Sequence, residues 1–476
     1  MPKPFYITTT LPYVNAELHM GHALEFIRAD AIARYKKLQG FDVFFNSGTD
    51  EHGSKIFKNA ENKGMDVQAF VDMNVEKFYE SVKLFGISPD THFVRTSDPH
   101  HISSAQEFWK RVSDNGYIYK KNYQTKYCVG CESEKTDSEL VDGKCPDHGT
   151  VPELIDEENY FFRYSAFGEK LLKFYAENPT FIVPEFRFNE IKAFVERGLE
   201  DFSISRLKTK MPWGIEVPGD ENQVMYVWFD ALTNYISTLG WPENTEQFEK
   251  YWKDGTPTQY CGKDNTRFQG AMWQAMLMAA ELPNSYQIIV NGFITAEGGL
   301  KMSKTMGNVV DPKDTAKEYG IDALRFFLLK EISSFEDSPF SRERFIESYN
   351  AHLANGIGNL TSRIMKMATT NLDSTPELSD SMSDEWHQAM REFDIKRAVE
   401  IAFGEAKKMD ERITETEPFK LVKTDPDQAK AIIAELVGRL YTVASMLAPL
   451  LPETSAKIVQ CVREHRMPTE PLFLRK

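Results

Sequence analysis

The opening segment sets the tightest constraint on the fold. Residues 4 to 9 form an apolar, β-branched run that reads as a strand, followed by a Leu11-Pro12-Tyr13-Val14-Asn15 loop. From about His22 to Leu38, apolar positions Leu24, Ile27, Ala31, Ile32, Tyr35 and Leu38 recur near period 3.6, and Gly40 supplies a C-cap. Asp42-Val43-Phe44-Phe45-Asn46 then reads as a second buried strand. Strand, helix and strand in so short a span make a βαβ unit. Such a unit commits the chain to the α/β class, with a doubly wound, Rossmann-type parallel sheet.

The rhythm breaks over residues 117–223, which hold a cysteine cluster, short strand-like runs and many Gly and Pro residues. It resumes near Val224-Met225-Tyr226-Val227-Trp228, with helices predicted at 230–239 and 266–281 and a strand at Tyr286-Gln287-Ile288-Ile289-Val290. The sheet domain, 1–116 and 224–290, is thus interrupted by an insertion. A linker over 291–342 leads to a helical segment, 343–476, with periodic runs such as Ala398 to Lys408 and Ala429 to Leu447. A chain of 476 residues is long enough for about three domains.

Composition excludes little. The formal net charge of −15 mildly disfavours a nucleic-acid partner but leaves room for a local basic patch. No stretch of about 18 apolar residues occurs, so no membrane partner is expected. The first residues show neither a signal-peptide apolar region nor an Arg/Ser-rich presequence, so a cytoplasmic location is expected.

Of five cysteines, three cluster. Cys128-x-x-Cys131, thirteen intervening residues, then Cys145-Pro146-Asp147-His148 give two close ligand pairs. This suits a structural, tetrahedral Zn2+ site of Cys3His type at about residues 126–150, organising an insertion with little core of its own.

Two further segments point to a nucleotide. His19-Met20-Gly21-His22 stands between the first strand and the first helix, where α/β sheets bind ligands. Gly21 lets a base or phosphate approach the backbone, and the two imidazoles can donate to phosphate or ribose oxygens. Lys301-Met302-Ser303-Lys304-Thr305, after Gly298-Gly299, suits a clamp on pyrophosphate. Each alone is equally well read as ordinary polar surface. Together, in this order on an interrupted α/β domain, they resemble the paired signatures of class I aminoacyl-tRNA synthetases.

Leu11-Pro12-Tyr13-Val14-Asn15, Gly48-Thr49-Asp50-Glu51-His52-Gly53, Trp213 to Gly219, Tyr226 to Leu232, Gly262-Lys263-Asp264, Asn308 to Pro312 and Asn359 to Arg363 narrow the match. In this order they resemble the methionyl-tRNA synthetase family over nearly the whole chain. The resemblance implies a ligase that joins L-methionine to ATP, with Mg2+, and then to tRNA(Met), the initiator included. It implies a catalytic Rossmann-type domain, a zinc-knuckle connective insertion and an α-helical anticodon-binding bundle. It places methionine against Leu11, Tyr13, Asp50, Arg206, Trp228, Ala231 and Tyr235. It places ATP against His19, Gly21, His22, Gly262, Asp264, Lys301, Ser303 and Lys304, of which His19, His22, Lys301 and Lys304 serve catalysis. The chemistry is consistent: Asp50 can hold the ammonium, Arg206 can support the carboxylate or orient Asp50, and Trp228 can pack on a polarizable thioether.

Three positions depart from the family pattern. Gln269 and Asn291 stand where a His is usual, and Asn265 replaces an aliphatic residue. In the tail, Asn355, Asn359 and Arg363 recur every four residues and should share a helix face. By resemblance this face reads the anticodon, with Phe419 in Pro418-Phe419-Lys420-Leu421 as a stacking platform in place of the family's tryptophan. The chain stops soon after Leu451-Pro452-Glu453, which leads us to expect a monomer without a C-terminal dimerising domain. A nucleotidyltransferase shares both nucleotide signatures but not the helical tail. An inactive RNA-binding paralogue has no need of intact His19, His22, Asp50, Lys301 and Lys304.

Overall fold

The computed structural model describes residues 2–15, 17–131, 133–296 and 310–476. The chain divides into two compact units. One comprises 1–17, 42–80 and 90–290; the other comprises 18–41, 81–89 and 291–476.

The first unit is organised by a six-stranded sheet in the spatial order His92–Arg95, Asp42–Thr49, Pro4–Thr9, Thr256–Gly262, Gln287–Asn291, Ile182–Val183. The strand Pro4–Thr9 pairs in parallel with both Asp42–Thr49 and Thr256–Gly262. Its residues Phe5 to Thr9 are buried, as a parallel strand covered on both faces must be. The strands that follow Pro4–Thr9 lie on one side of it, and the strand that follows Thr256–Gly262, Gln287–Asn291, lies on the other. The reversal between these two strands opens a crevice at their carboxyl ends.

Within the insertion, Ser133–Lys135, Ile118–Cys128, Glu153–Phe162 and Phe202–Ser203 form an antiparallel sheet. A second small sheet holds Glu216–Val217, Asp220–Met225 and Ser205–Leu207. The inserted segment also returns Ile182–Val183 to the edge of the parallel sheet, beside Gln287–Asn291.

The Val224-to-Trp228 run differs from its sequence pattern. The strand ends at Met225, and Trp228 lies on a helix, Val227–Ala231. Tyr226 marks the change: its N–H donates to Ile204 O, closing the small sheet, while its carbonyl accepts from Phe229 and Asp230 N–H to start the helix. The expected 230–239 helix is accordingly two short turns, Val227–Ala231 and Asn234–Ser237.

Among the described residues, the second unit is helical apart from one short strand pair, Ile294–Thr295 with Ser338–Pro339. Its helix Met20–Leu38 begins at His19 and ends on two lysines, Lys36 and Lys37, which suit the negative carboxyl end. This helix carries two buried charges. Arg28 donates to Ser334 O at 3.0 Å, Ile332 O at 2.9 Å and Ser333 O at 2.8 Å. Asp30 pairs with Arg34 at 2.7 Å and Arg325 at 2.8 Å, and accepts from Ser88 N–H and Oγ. Arg325 also donates to Leu450 O at 2.8 Å. Three segments far apart in sequence thus meet on one carboxylate, and Arg325 ties a fourth to it through Leu450. Burial alone would raise the Asp30 carboxyl, but Arg325, Arg34 and Ser88 outweigh it and hold it below its ordinary value.

Among the described residues, no helix is long and apolar enough to cross a membrane. Asp30→Asn should cost about 3–5 kcal/mol, because it strands the buried Arg325 charge. A carboxyl depressed by folding stabilises above its unfolded value and loses that contribution as the pH falls through its folded value. Denaturant unfolding against pH should therefore show the gap between parent and variant at neutral pH closing in acid. A constant gap would contradict the assignment.

Candidate active site and metal centre

Beyond the strand Pro4–Thr9 the backbone continues the sheet for three more residues. Asp50 N–H donates to Pro12 O at 3.0 Å and Val14 N–H to Asp50 O at 3.1 Å, so Tyr13 and Asp50 face each other in a parallel bridge. Leu11 is buried and Tyr13 half-buried. Tyr13 and Trp228 pack against the same small cluster of Tyr127, Tyr226 and Val227. The Trp228 indole lies flat on Phe268, with ring centroids 3.9 Å apart and planes within 4°. Tyr235 is buried; Tyr6 Oη donates to its carbonyl at 3.0 Å, and its ring meets Trp273 edge-on.

A chain of buried polar contacts holds the two walls together. Asp230, beside Trp228 and Ala231, pairs with His52 Nδ1 at 2.7 Å and His101 Nε2 at 2.8 Å. His101 Nδ1 meets Ser237 Oγ at 2.9 Å, which leaves its Nε2–H to donate to the carboxylate. Burial alone would raise the Asp230 carboxyl, but the two imidazoles outweigh it and lower it. The neighbouring Glu51 is buried and takes both arms of the Arg95 guanidinium, at 2.8 and 3.0 Å. Glu51 and His52, the two residues that follow Asp50, are thereby both anchored.

Arg206 lies between the rings of Tyr127 and Tyr226, at 5.0 and 4.8 Å. Its Nη1 donates to Ser203 Oγ and Ser205 O, both at 2.7 Å. It lines a cavity of about 320 Å³ together with Tyr226, Phe268 and Arg267. Gly262 closes the strand Thr256–Gly262, and the next turn, Lys263–Asn265, exposes Asp264 at the carboxyl end of that strand. Asn265 donates to Asp264 Oδ1 at 3.4 Å.

His19, Gly21 and His22 belong to the other unit, at the start of the helix Met20–Leu38. His19 Nδ1 accepts from Gly21 N–H at 3.1 Å, and His22 Nδ1 accepts from His19 N–H at 3.2 Å. The rings stack with centroids 3.8 Å apart. With Nδ1 accepting in each ring, the neutral tautomer carries its proton on Nε2. Burial and the neighbouring His19 push the His22 imidazole well below its ordinary value, so it stays uncharged. A Cβ at Gly21 would lie 3.0 Å from the His19 ring, which gives the glycine a second purpose beside open access.

The metal ligands gather as their spacing predicts. One ligand atom from each of Cys128, Cys131, Cys145 and His148 lies within 4.8 Å of the others, and no cysteine is in a disulfide. Cys131 Sγ stands 3.4 Å from Cys145 Sγ and 3.3 Å from His148 Nδ1, while Cys128 and Cys145 are each 3.9 Å from that nitrogen. Tetrahedral zinc with ordinary bond lengths needs edges of about 3.5–3.8 Å, so the set fits a zinc ion. Gly130 is required by the same geometry, because a Cβ there would come within 2.5 Å of the His148 ring.

Comparison with known proteins settles the family. The family model for tRNA synthetases class I (M) matches residues 5–151 and 147–365. The methionine–tRNA ligase of Caldanaerobacter subterraneus is 42% identical over 97% of this chain and 74% of its own length. That of Brucella suis is 37% identical over 96% and 91%. The structure of Mycobacterium tuberculosis methionyl-tRNA synthetase in complex with methionyl-adenylate superposes with a TM-score of 0.89 at 35% identity, covering 100% of this chain and 98% of that one. The chain belongs to the class I methionyl-tRNA synthetase family.

Not every residue of the expected synthetase site is brought into one place. Tyr13, which faces Asp50, meets the cluster of Tyr127, Tyr226 and Val227 together with Trp228, and Arg206 lies over two rings of that cluster. Lys301, Ser303 and Lys304 lie outside the described residues. In the tail, Asn355 and Asn359 are exposed and Arg363 half-buried. Asn355 sits in a π-helical stretch, Tyr349–Gly358, whose backbone leaves helical geometry at Gly356; Asn359 opens the next α-helix. The four-residue spacing therefore does not run along one regular α-helix. Arg363 forms an ion pair with Asp410, and Phe419 is 47% exposed on the short helix Pro418–Leu421, open to stacking.

Sequence reading missed His52, His101, Asp230, Arg95 and Phe268. His52 and Asp230 were visible inside the quoted motifs, but their partnership spans 178 residues and leaves no local periodic signal. For the metal centre, metal analysis should find about one zinc per chain. Gly130→Ala should release it at lower chelator concentration than the parent. Equal retention would contradict the crowding of His148.

Proposed function

We propose that the crevice beyond Thr9 and Gly262 binds L-methionine and ATP, and that the chain is a methionine–tRNA ligase working as a cytoplasmic monomer. The carrying observation is that Tyr13 and Asp50 face each other beyond the carboxyl ends of the strands Pro4–Thr9 and Asp42–Thr49, with Trp228 packed on the same cluster as Tyr13. One carboxylate in an aromatic enclosure suits an ammonium joined to an apolar thioether chain. Asp50 takes the ammonium, the Leu11 backbone and the Tyr235 hydroxyl approach the sulfur, and Ala231 leaves room for the side chain. Arg206 supports Asp50 or the substrate carboxylate.

In the first step the methionine carboxylate attacks the α-phosphorus of ATP, and pyrophosphate departs. No protein nucleophile is needed; orientation and stabilisation of charge on the phosphates suffice. His19 and His22 offer Nε2–H donors to phosphate oxygens, the backbone of Gly21 and Gly262 permits close approach, and Asp264 accepts from the ribose hydroxyls. Lys301, Ser303 and Lys304 take the pyrophosphate. Mg2+ accompanies ATP and neutralises phosphate charge. In the second step a hydroxyl of the terminal ribose of tRNA(Met), initiator included, attacks the mixed-anhydride carbonyl, and AMP leaves. Residues 1–116 and 224–290 carry the chemistry and 117–223 the zinc-bearing insertion. Residues 291–342 form the linker, and 343–476 read the anticodon with Asn355, Asn359, Arg363 and Phe419.

Pyrophosphate–ATP exchange without tRNA, run with each amino acid separately, should be supported by methionine alone. Exchange driven by another amino acid, or none, would refute this reading. Asp50→Ala should lower kcat/KM for methionine by about a hundredfold or more, the cost of an unpaired ammonium. Lys304→Ala should slow adenylate formation far more than it weakens methionine binding. Equal loss of both would remove the phosphate role.

A further inference from the structure

Behind the amino-acid pocket lies a chain of buried amides and hydroxyls that the chemistry above does not use. Gln259, Gln269, Gln274 and Ser285 are all buried. Ser285 N–H, which can only donate, bonds Gln274 Oε1 at 3.0 Å and so fixes which way that amide faces. Gln274 Nε2 then donates to Ser285 Oγ at 3.0 Å, and Ser285 Oγ donates to Gln259 Oε1 at 2.5 Å. Gln259 Nε2 donates to Gln269 Oε1 at 3.2 Å, and Gln269 Nε2 donates to Thr10 Oγ1 at 2.9 Å. Every link has one polarity, set at its far end by a backbone group. Reversing the Gln269 amide would oppose its nitrogen to the Gln259 donor and break the order.

Gln269 joins two walls of the pocket. Through Thr10 it holds the residue that precedes Leu11. Along the backbone it follows Phe268, whose ring is the platform under Trp228. The turn that bears both is π-helical, Phe268–Met272, and Gln274 Nε2 also bonds Gln269 O at 2.9 Å. We propose that Gln269 is a positioning residue for methionine, and that Gln259 and Ser285, buried behind it, set methionine affinity through the direction of its amide. The inference rests on the methionine-pocket reading given above.

Steady-state pyrophosphate exchange on the full chain tests it. Gln259→Leu and Gln269→Leu should each raise KM for methionine about tenfold while KM for ATP and kcat stay within about twofold, the cost of one unmet buried hydrogen bond. The double variant should be no worse than the more affected single one, because both remove the same relay. Ser285→Ala removes only a hydroxyl and should give the same selective rise even if Gln259→Leu fails to fold. Unchanged methionine KM in Gln259→Leu or Ser285→Ala, additive effects in the double variant, or equal changes in ATP KM and kcat would overturn the proposal. Trp228→Ala separates the two levels. If it too leaves methionine KM unchanged, the pocket reading fails; if it alone matters, only the relay fails.

Discussion

Two parallel strands, Pro4–Thr9 and Thr256–Gly262, lie side by side although their sequence neighbours depart in opposite directions. That reversal is the constraint on which the rest depends. The connections leaving the two carboxyl ends must diverge, so a crevice opens there without any packing being given up elsewhere. Thr10 to Val14 emerge from one strand and Lys263 to Asn265 from the other, which is why pocket residues come from segments some 250 residues apart. Hydrogen bonds between Pro12–Val14 and Asp50 extend the sheet just far enough to make the crevice wall rigid backbone.

Rigidity at the wall is bought with buried polar contacts, each of them closed. Asp230 is met by His52 and His101, Glu51 by Arg95, and the Gln259–Gln269 amides by Ser285 and Thr10. A buried charge or amide without such partners would cost more than the pocket gains. The same logic holds the helical unit, where Asp30 gathers Arg34, Ser88 and Arg325. In both units a few polar centres fix the alignment of elements whose apolar faces alone would permit sliding.

What the sequence disclosed follows the range of the interaction involved. The first strand and the first helix were legible because their periodicity is local, and the helix gained only its first turn, Met20 and Gly21, from the His19 cap. The zinc ligands were legible because two tight turns fix them in pairs. The helical place of Trp228 is not legible, because its β-rich run, Val224 to Trp228, crosses from a sheet edge into a helix at Tyr226, whose N–H pairs with Ile204 O. Asn355 and Asn359 kept their exposure but not their regular helix, since Gly356 breaks it. The partners of Asp230 and Asp30 carried no signal, because a carboxylate does not reveal which distant cation or imidazole it will meet. Gln269 stood out only as an exception to a resemblance; its hydrogen bonds give it a physical reason.

The account is tested most directly by hydrogen–deuterium exchange with a non-hydrolysable methionyl-adenylate analogue. Ligand should slow exchange at the backbone of Leu11–Val14, Thr49–His52 and Lys263–Asn265, the three segments that border the strand reversal. Unchanged exchange in these segments, with protection confined to other parts of the chain, would contradict the placement of the site.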